Sequence, residues 1–325
     1  MNEVIIGGVG KYTPSKKVTN EDLSQIVDTN DEWIFSRTGI KNRYVSTGED
    51  TSHMAAKACE KAIKNADISP LDIDLIVVAT CTPDMFTPST ACIVQSIIGA
   101  KNAVAFDIGA ACTGFIFGLD VAKSLMKSNH YKNALVVGAE NFSKFIDWED
   151  RKTCILFGDG AGAAVLSRSD FLGLGNSFSK SQGDKWNCIT IEGKDIDSPF
   201  VESKIIRDSK LRMDGNEVFK FATTTIVKSI NQILEDNNLN IDDIDYIVPH
   251  QANIRIIEYA AKKLKLPIDK FYMNIQEYGN TSAASIPIAL SEMYEQNLLK
   301  KGSRIILVGF GAGLTYGATL INWSI

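Results

Sequence analysis

The chain has 325 residues, 45% of them hydrophobic and 22% charged, the proportions of an ordinary globular protein, which exclude a disordered, collagen-like or fibrous chain. Lysine and arginine (34) against aspartate and glutamate (39) leave a net charge of -5, so a chain-wide basic footprint for nucleic acid is absent. The longest apolar runs, such as 75–80 and 305–310, fall well short of the roughly 20 residues needed to cross a bilayer. The opening MNEVIIGGVGKYTPSKK carries no basic segment, long apolar stretch or cleavage site, so a cytoplasmic protein without membrane or nucleic-acid partners is expected.

In chain order, an apolar pattern of helical period covers about 51–66, and a short turn flanked by aspartates leads into the buried run 73–78. Small residues at 109–114 open a second helix over about 112–128, and another buried run, 134–138, follows. Beyond a stretch crowded with Ser, Gly and Lys (168–182) and a polar, irregular excursion (183–212), the same succession returns. A helix over about 217–237 is followed by a turn, the buried run 244–249, a small-residue segment entering a helix at 283–297, and the buried run 305–309. One offset, 171, lays 73–78 on 244–249 and 134–138 on 305–309. Two matches at one offset with the same punctuation predict an internal duplication. Uninterrupted apolar strands alternating with helices predict an α/β layered architecture with mostly parallel sheets covered on both faces. Halves 1–172 and 173–325 would pack about a pseudo-twofold axis, with a site where their loops meet.

Six cysteines (59, 81, 92, 112, 154 and 188) form no CxxC pair, and the three histidines (53, 130 and 250) lie at no ligand spacing. Neither a disulfide framework nor a metal site is expected. Cys112 stands in FDIGAACTGF, where a strand gives way to small residues and then a helix. At a helix N-terminus the dipole and free N–H groups favour thiolate, the nucleophilic form. The competing reading is a buried, inert cysteine, and Cys59, Cys81, Cys92, Cys154 and Cys188 are all expected to be of that kind. His250, in VPHQAN, directly follows a buried strand, where open α/β sheets place ligand sites; the plain alternative is a helix cap. Asn280, in YGNTSAAS, reads either as a helix cap or as a member of the loop related to that of Cys112, since 280 less 171 is 109. The loop GFGAGL (309–314) lacks dinucleotide spacing; its N–H groups suit an oxyanion hole or simply a tight turn.

Cys112 in AACTGF, His250 in PHQAN, Asn280 in YGNTSAAS, the FGDGAGAAVL segment (157–166) and the terminal GFGAGLTYG together resemble one group. It is the thiolase-fold condensing enzymes, specifically the β-ketoacyl-acyl-carrier-protein synthase III family, and the likeness covers nearly the whole chain. The Cys/His/Asn set separates this family from elongating ketosynthases, which use Cys/His/His, and from degradative thiolases, which need a second catalytic Cys. The resemblance implies a thiolase-like fold of duplicated halves in α/β/α/β/α layers and an acyltransferase that starts fatty-acid synthesis. An acyl-CoA primer would acylate Cys112, malonyl-acyl-carrier protein would lose CO2, and the enolate would attack the acyl-enzyme. His250 Nε2–H and the Asn280 amide would be the enolate donors, with the backbone N–H groups of Cys112 and Ala312 as the oxyanion hole.

The resemblance further implies that Trp33, Arg37, Arg151 and Asn253 hold CoA and that Lys220, Arg255, Lys262 and Lys263 dock the acidic carrier protein. It implies a homodimer in which the loop 84–89 helps close the partner's acyl pocket. Thr87 stands there in place of the bulky aromatic of some members, which implies a roomier pocket. No cofactor or metal is implied, because acyl-CoA is a substrate. Three readings stand beside this one. They are a paralogue in a secondary-metabolite pathway using another primer or forming an ester, a non-catalytic partner subunit of a ketosynthase, and a cysteine hydrolase.

Overall fold

The structure is a computed structural model that describes residues 3–196, 198–200 and 207–325. Its first sheet contains β1 (Glu3–Tyr12), β2 (Leu75–Ala79), β3 (Val104–Ile108), β4 (Asn133–Glu140) and β5 (Gly160–Ser169), in the spatial order β1-β5-β4-β2-β3. The second contains β6 (Leu174–Ser181), β7 (Tyr246–Pro249), β8 (Arg304–Gly311) and β9 (Thr315–Asn322), in the order β7-β8-β9-β6. Both ends of β8 lie 171 residues beyond those of β4, and β6 and β7 begin 171 residues beyond β1 and β2. The repeat read from two apolar runs is therefore a repeat of whole strands and of their spatial order.

The expectation of mostly parallel sheets is corrected. β2 pairs in parallel with β3 and β4, and β7 with β8. The pairs β1/β5, β4/β5, β8/β9 and β6/β9 are antiparallel. An uninterrupted apolar run reports that both faces are covered, a condition met by strands of either direction. Direction follows from the connections: β8 reaches β9 through the three residues 312–314, far too few for a parallel crossover.

Helices α1 (Asp31–Thr38), α2 (Thr51–Asn65), α3 (Thr90–Ile98), α4 (Gly114–Ser128), α5 (Gly215–Asp236), α6 (Ile254–Leu264) and α7 (Ser285–Glu295) follow in chain order; α1 lies beside α6, while the others pack on the two sheets. Side chains alternate across a strand, and β2 shows the result. Leu75 and Val77 face the middle of the molecule, whereas Ile76 and Val78 face outward against Met54, Cys59 and Ile63 of α2 and Val94 of α3. On the second sheet, Ile247, Ile306 and Val308 face outward against Ile226 and Ile230 of α5 and Ile257 of α6. The middle layer is α4 and α7, whose Phe115, Leu119, Ile286 and Leu290 share one core with Val77, Val136, Val248 and Leu307 of both sheets. The layers are thus α/β/α/β/α. Each such buried side chain contributes roughly 1.5–3 kcal/mol, so the middle layer ties the two halves to one another.

Candidate active site

The two middle helices are entered through matching turns, Ala111–Thr113 before α4 and Ser282–Ala284 before α7. The turns are related by the same 171-residue offset, and Ala111 and Ser282 each hold φ at +49°, a left-handed conformation that L-residues other than glycine rarely adopt. Two glycines let the halves close over these turns. A Cβ on Gly138 of β4 would lie 2.1 Å from the Ala283 carbonyl, and one on Gly311 of β8 would lie 2.8 Å from the Cys112 nitrogen. Each half thus presses its second inner strand onto the turn of the other, and the loops of Cys112 and Asn280 converge.

His250 leaves the end of β7, where its backbone N–H donates to the Val308 carbonyl at 2.8 Å. Its ring is buried, meets the Phe310 ring edge-on at 5.4 Å, and has Nδ1 2.8 Å from Ser285 Oγ. Burial lowers its pKa to about 3, so the imidazole is neutral at physiological pH. The Asn280 side chain is oriented by its neighbour: Ser282 N–H donates to Oδ1 at 2.9 Å, which leaves the Asn280 amide N–H groups as the free end.

Cys112 departs from the thiolate expectation. Burial pushes its thiol up to about 12, with the Glu140 carboxyl pushing the same way and the Ser282 side chain working against both. The Ser282 hydroxyl lies beside the thiol without closing a hydrogen bond of ordinary geometry. Desolvation of the charged form outweighs the helix start, so the ligand-free protein holds a thiol. Glu140 itself is fully buried. It accepts from Thr82 Oγ1 at 2.7 Å, from the Cys81 N–H at 3.1 Å and from Thr80 Oγ1 at 3.4 Å, and burial raises its pKa to about 7 against these bonds.

One cavity of about 640 Å³ takes in Cys112, His250, Asn280 and Ala312 together with Trp33, Arg37, Asn253 and Arg255. Arg37 and Arg255 are exposed and mark its opening to solvent. Both the Arg37 and Arg151 guanidiniums lie over the Trp33 ring, 4.6 and 4.7 Å from its centroid; Arg151 is not part of the cavity lining. Asn253 caps α6 by accepting the Arg255 N–H at 2.9 Å, which leaves its amide N–H groups for a ligand. Ala312 avoids positive φ, the left-handed conformation falling on Gly313 at +110°.

Some expected residues lie elsewhere. Thr87 is exposed and does not line this chain's cavity, and Lys220, Lys262 and Lys263 are exposed on α5 and α6 outside it. The reading of all other cysteines as buried and inert is corrected for two of them. Cys92 is exposed, its thiol turned toward the Ala105 carbonyl at 3.6 Å. Cys81 lines the cavity beside Cys112. Sequence reading also missed the excursion's role: Ile189–Thr190 pairs with Arg212–Met213, and Ile191, Leu211 and Met213 form a cavity wall. Its apolar residues are too sparse for a periodic signal. Among the described residues no group of three His, Cys, Asp or Glu side chains could hold a metal ion, and no helix is long and apolar enough to cross a membrane.

A family model described as 3-oxoacyl-[acyl-carrier-protein (ACP)] synthase III matches residues 106–183, and its C-terminal companion matches residues 234–323. A β-ketoacyl-[acyl-carrier-protein] synthase III of Clostridium novyi is 56% identical over 324 residues, covering 100% of both chains. The chain belongs to the β-ketoacyl-[acyl-carrier-protein] synthase III family. The enzyme of that name from Clostridium acetobutylicum is 55% identical over 324 residues, again with 100% of both chains covered. Among solved structures, the 3-oxoacyl-[acyl-carrier-protein] synthase III of Aquifex aeolicus superposes with a TM-score of 0.92 at 43% identity, covering 98% of this chain and 100% of that one. Members of this synthase family are acyltransferases with the thiolase fold, and the layered duplication described above is that fold.

Proposed function

We propose that this synthase condenses an acyl-CoA primer with malonyl-acyl-carrier protein, releasing CO2 and giving a 3-oxoacyl-acyl-carrier protein, the first carbon–carbon bond of fatty-acid synthesis. The observation that carries the reading is the meeting of Cys112, His250 and Asn280 in one cavity that also reaches Trp33 and Arg37. Cys112 sulfur attacks the primer carbonyl, a bond to sulfur forms, and CoA leaves as its thiol after taking up the Cys112 proton. The backbone N–H groups of Cys112 and Ala312 are assigned to the oxyanion of that step. In the second half-reaction the malonyl C–C bond breaks, and its electron pair becomes the enolate, held by donors from His250 and Asn280. The enolate carbon then attacks the acyl-enzyme and expels Cys112 as thiolate, which recovers a proton. Splitting the condensation into two easier steps is what the covalent intermediate supplies. Each step draws only on thiol, imidazole and amide groups, and acyl-CoA is a substrate.

Burial that lowers His250 to about 3 makes the imidazole a weak base, which supports a hydrogen-bond donor role over the general base of a cysteine hydrolase. The complete Cys/His/Asn set likewise speaks against a non-catalytic partner subunit, and the identity to curated family members favours the fatty-acid enzyme over a secondary-metabolite paralogue. We assign Trp33 and Arg151 to the CoA adenine, which would separate the guanidinium from the ring and stack in its place, with Arg37 and Asn253 beside it. Lys220, Arg255, Lys262 and Lys263 would meet the acidic carrier protein. Met85 and Phe86 in the loop before α3, Ile97 of α3 and Val104 of edge strand β3 are all exposed, Phe86 by 87%. That apolar edge suits a second copy of the chain, and Thr87 would then face the partner's acyl pocket. Both substrates are cytoplasmic, and the enzyme is placed there. The test is intact-protein mass spectrometry after incubation with straight and branched acyl-CoAs. A stable mass increase at Cys112, absent from Cys112→Ser, is expected and names the primer; no adduct with any acyl-CoA overturns the reading.

A further inference from the structure

We infer that Arg43, which lies outside the cavity, is a positioning residue that holds Asn280 in place for the enolate; this rests on the condensing reading above. Arg43 stands in the short strand Asn42–Val45, which pairs antiparallel with Lys16–Thr19. Just before this strand, the Lys41 N–H donates to the Gln276 carbonyl at 2.9 Å, and within it the Tyr44 carbonyl accepts the Asp159 N–H at 2.8 Å. The strand is therefore joined both to the segment that leads into Asn280 and to residues 155–159, of which Ile155, Leu156 and Phe157 wall the cavity.

Arg43 is fully buried. Its Nη2 donates to the Ile155 carbonyl at 2.7 Å, and its Nη1 donates to Asn20 Oδ1 at 2.8 Å and to the Val18 carbonyl at 3.4 Å. Asn20 is itself buried and donates from Nδ2 to the Ile40 carbonyl at 2.7 Å, so that acceptor is fixed. Among the described residues no carboxylate pairs with the guanidinium. Burial lowers its pKa to about 10, which leaves it charged at physiological pH. A buried cation facing only neutral oxygens is a costly way to fill space. A planar fork of directed N–H groups, in contrast, suits the holding of several acceptors at once.

The backbone held by the fork is the one that carries Asn280. Phe157 and Asn280 form a parallel bridge, in which the Asn280 N–H donates to the Leu156 carbonyl at 2.8 Å and the Gly158 N–H donates to the Asn280 carbonyl at 3.1 Å. Ile155, whose carbonyl Arg43 holds, adjoins this bridge. The arginine stem lies directly against it: a Cβ on Gly158 would stand 3.1 Å from Arg43 Cβ, and one on Gly279 would stand 3.3 Å from it. Both backbone groups of Asn280 are thus fixed by residues that Arg43 fixes in turn. Cys112 and His250 are carried by other elements, the turn before α4 and the end of β7, and neither hydrogen-bonds Arg43 or its acceptors. Loosening the fork should therefore disturb one enolate donor and leave the nucleophile in place.

The test is a double-mutant cycle of Arg43→Lys and Asn280→Ala in the full-length protein, read on two half-reactions. Lysine keeps the charge but not the fork. In Arg43→Lys, decarboxylation of malonyl-acyl-carrier protein by the acyl-enzyme should slow about 10–100-fold, the scale set by a misplacement of up to about 1 Å. Acylation of Cys112 by acetyl-CoA, followed by mass spectrometry, should stay within about threefold and doubles as the test of folding. If Arg43 acts through Asn280, the double variant should decarboxylate within about twofold of Asn280→Ala alone. Losses that multiply, or an unchanged rate in Arg43→Lys, overturn the inference. Hydrogen exchange of the ligand-free protein supplies a second readout: the Asn280 and Gly158 amides should exchange faster in Arg43→Lys, with those of α4 unchanged. Equal acceleration throughout the chain would mark a merely structural residue and overturns it as well. Should Arg43→Lys not fold, Asn20→Ala, which removes one acceptor of the fork, takes its place in the cycle with the same expected and refuting results. Exchange is read without substrate, so failure of wild type to take up an acyl group would sink the condensing reading while leaving the hold of Arg43 on Asn280 to be judged alone.

Discussion

Replacing the buried Glu140 by glutamine should remove a loss of stability that the wild-type fold suffers as pH rises from about 4.5 to about 7. The carboxyl titrates near 7 in the folded protein against an ordinary 4.5, burial being the dominant cause. The folded state therefore holds the proton more tightly than the unfolded state between these values. By linkage, stability contributed by protonated Glu140 is intact below the unfolded value and is lost as pH rises through about 7. At 1.36 kcal/mol per pH unit the loss amounts to about 3 kcal/mol, a large fraction of a typical net stability. Glutamine keeps the acceptor for Thr82 and the Cys81 N–H and never ionises. The assay is urea unfolding of wild type and Glu140→Gln at pH 5, 6, 7 and 8, compared at constant slope. The variant should gain on wild type by about 2.5 kcal/mol across that range, because part of the loss is already present at pH 5. A gap that stays within about 1 kcal/mol, or widens the other way, refutes the argument that desolvation governs this carboxyl. The same substitution removes one of the pushes on the Cys112 thiol, so iodoacetamide should label Cys112 several-fold faster in the variant at pH 8.

In wild type, the rate of Cys112 alkylation should climb about tenfold per pH unit from 7 to 10, because the thiol titrates near 12; a plateau below pH 8 would show a thiolate at rest. His250→Ala should still be acylated by acyl-CoA yet decarboxylate malonyl-acyl-carrier protein about 10²–10³-fold more slowly; normal decarboxylation by stopped-flow CO2 detection refutes its role as donor. Trp33→Ala should raise KM for acyl-CoA about tenfold or more, since base–aromatic stacking is worth ~1–3 kcal/mol, with little change in the turnover of pre-formed acyl-enzyme. The double charge reversal Lys262→Glu and Lys263→Glu should raise KM for malonyl-acyl-carrier protein in a salt-dependent way while leaving acyl-CoA kinetics alone; equal effects on both substrates would remove α6 from the docking surface.

Much of the fold was legible because the duplication doubles every signal. The helices expected near 51–66 and 112–128 are Thr51–Asn65 and Gly114–Ser128, and those expected near 217–237 and 283–297 are Gly215–Asp236 and Ser285–Glu295. Strand direction was not legible, since apolar runs encode coverage and not polarity. Cys112, His250 and Asn280 could be read as candidates because each stands at an element boundary in a residue type that chemistry uses. Glu140 and Arg43 could not. Their importance comes from burial and from neighbours 58 and 112 residues away, and a glutamate ending a strand or an arginine within one is locally unremarked. The charge state of Cys112 was misjudged for the same reason: the helix start is written in sequence, but the depth of the cavity around it is not.

The crossed packing of Gly138 under Ala283 and of Gly311 under Cys112 bears on how such a molecule can diverge. Two copies that began alike are free to drift apart on their outer layers, where a substitution is answered within one copy alone. At the crossing, girth added to one copy is felt as displacement in the other, so those positions are inherited as couples. Cys112 and Asn280 sit on that joint, with His250 in the same cavity. On the proposed reading, specialisation of one copy for attack and of the other for holding charge had to proceed without either outgrowing its mate, and new primer preferences would be easiest to acquire from the rim of the cavity, where no such reciprocity applies.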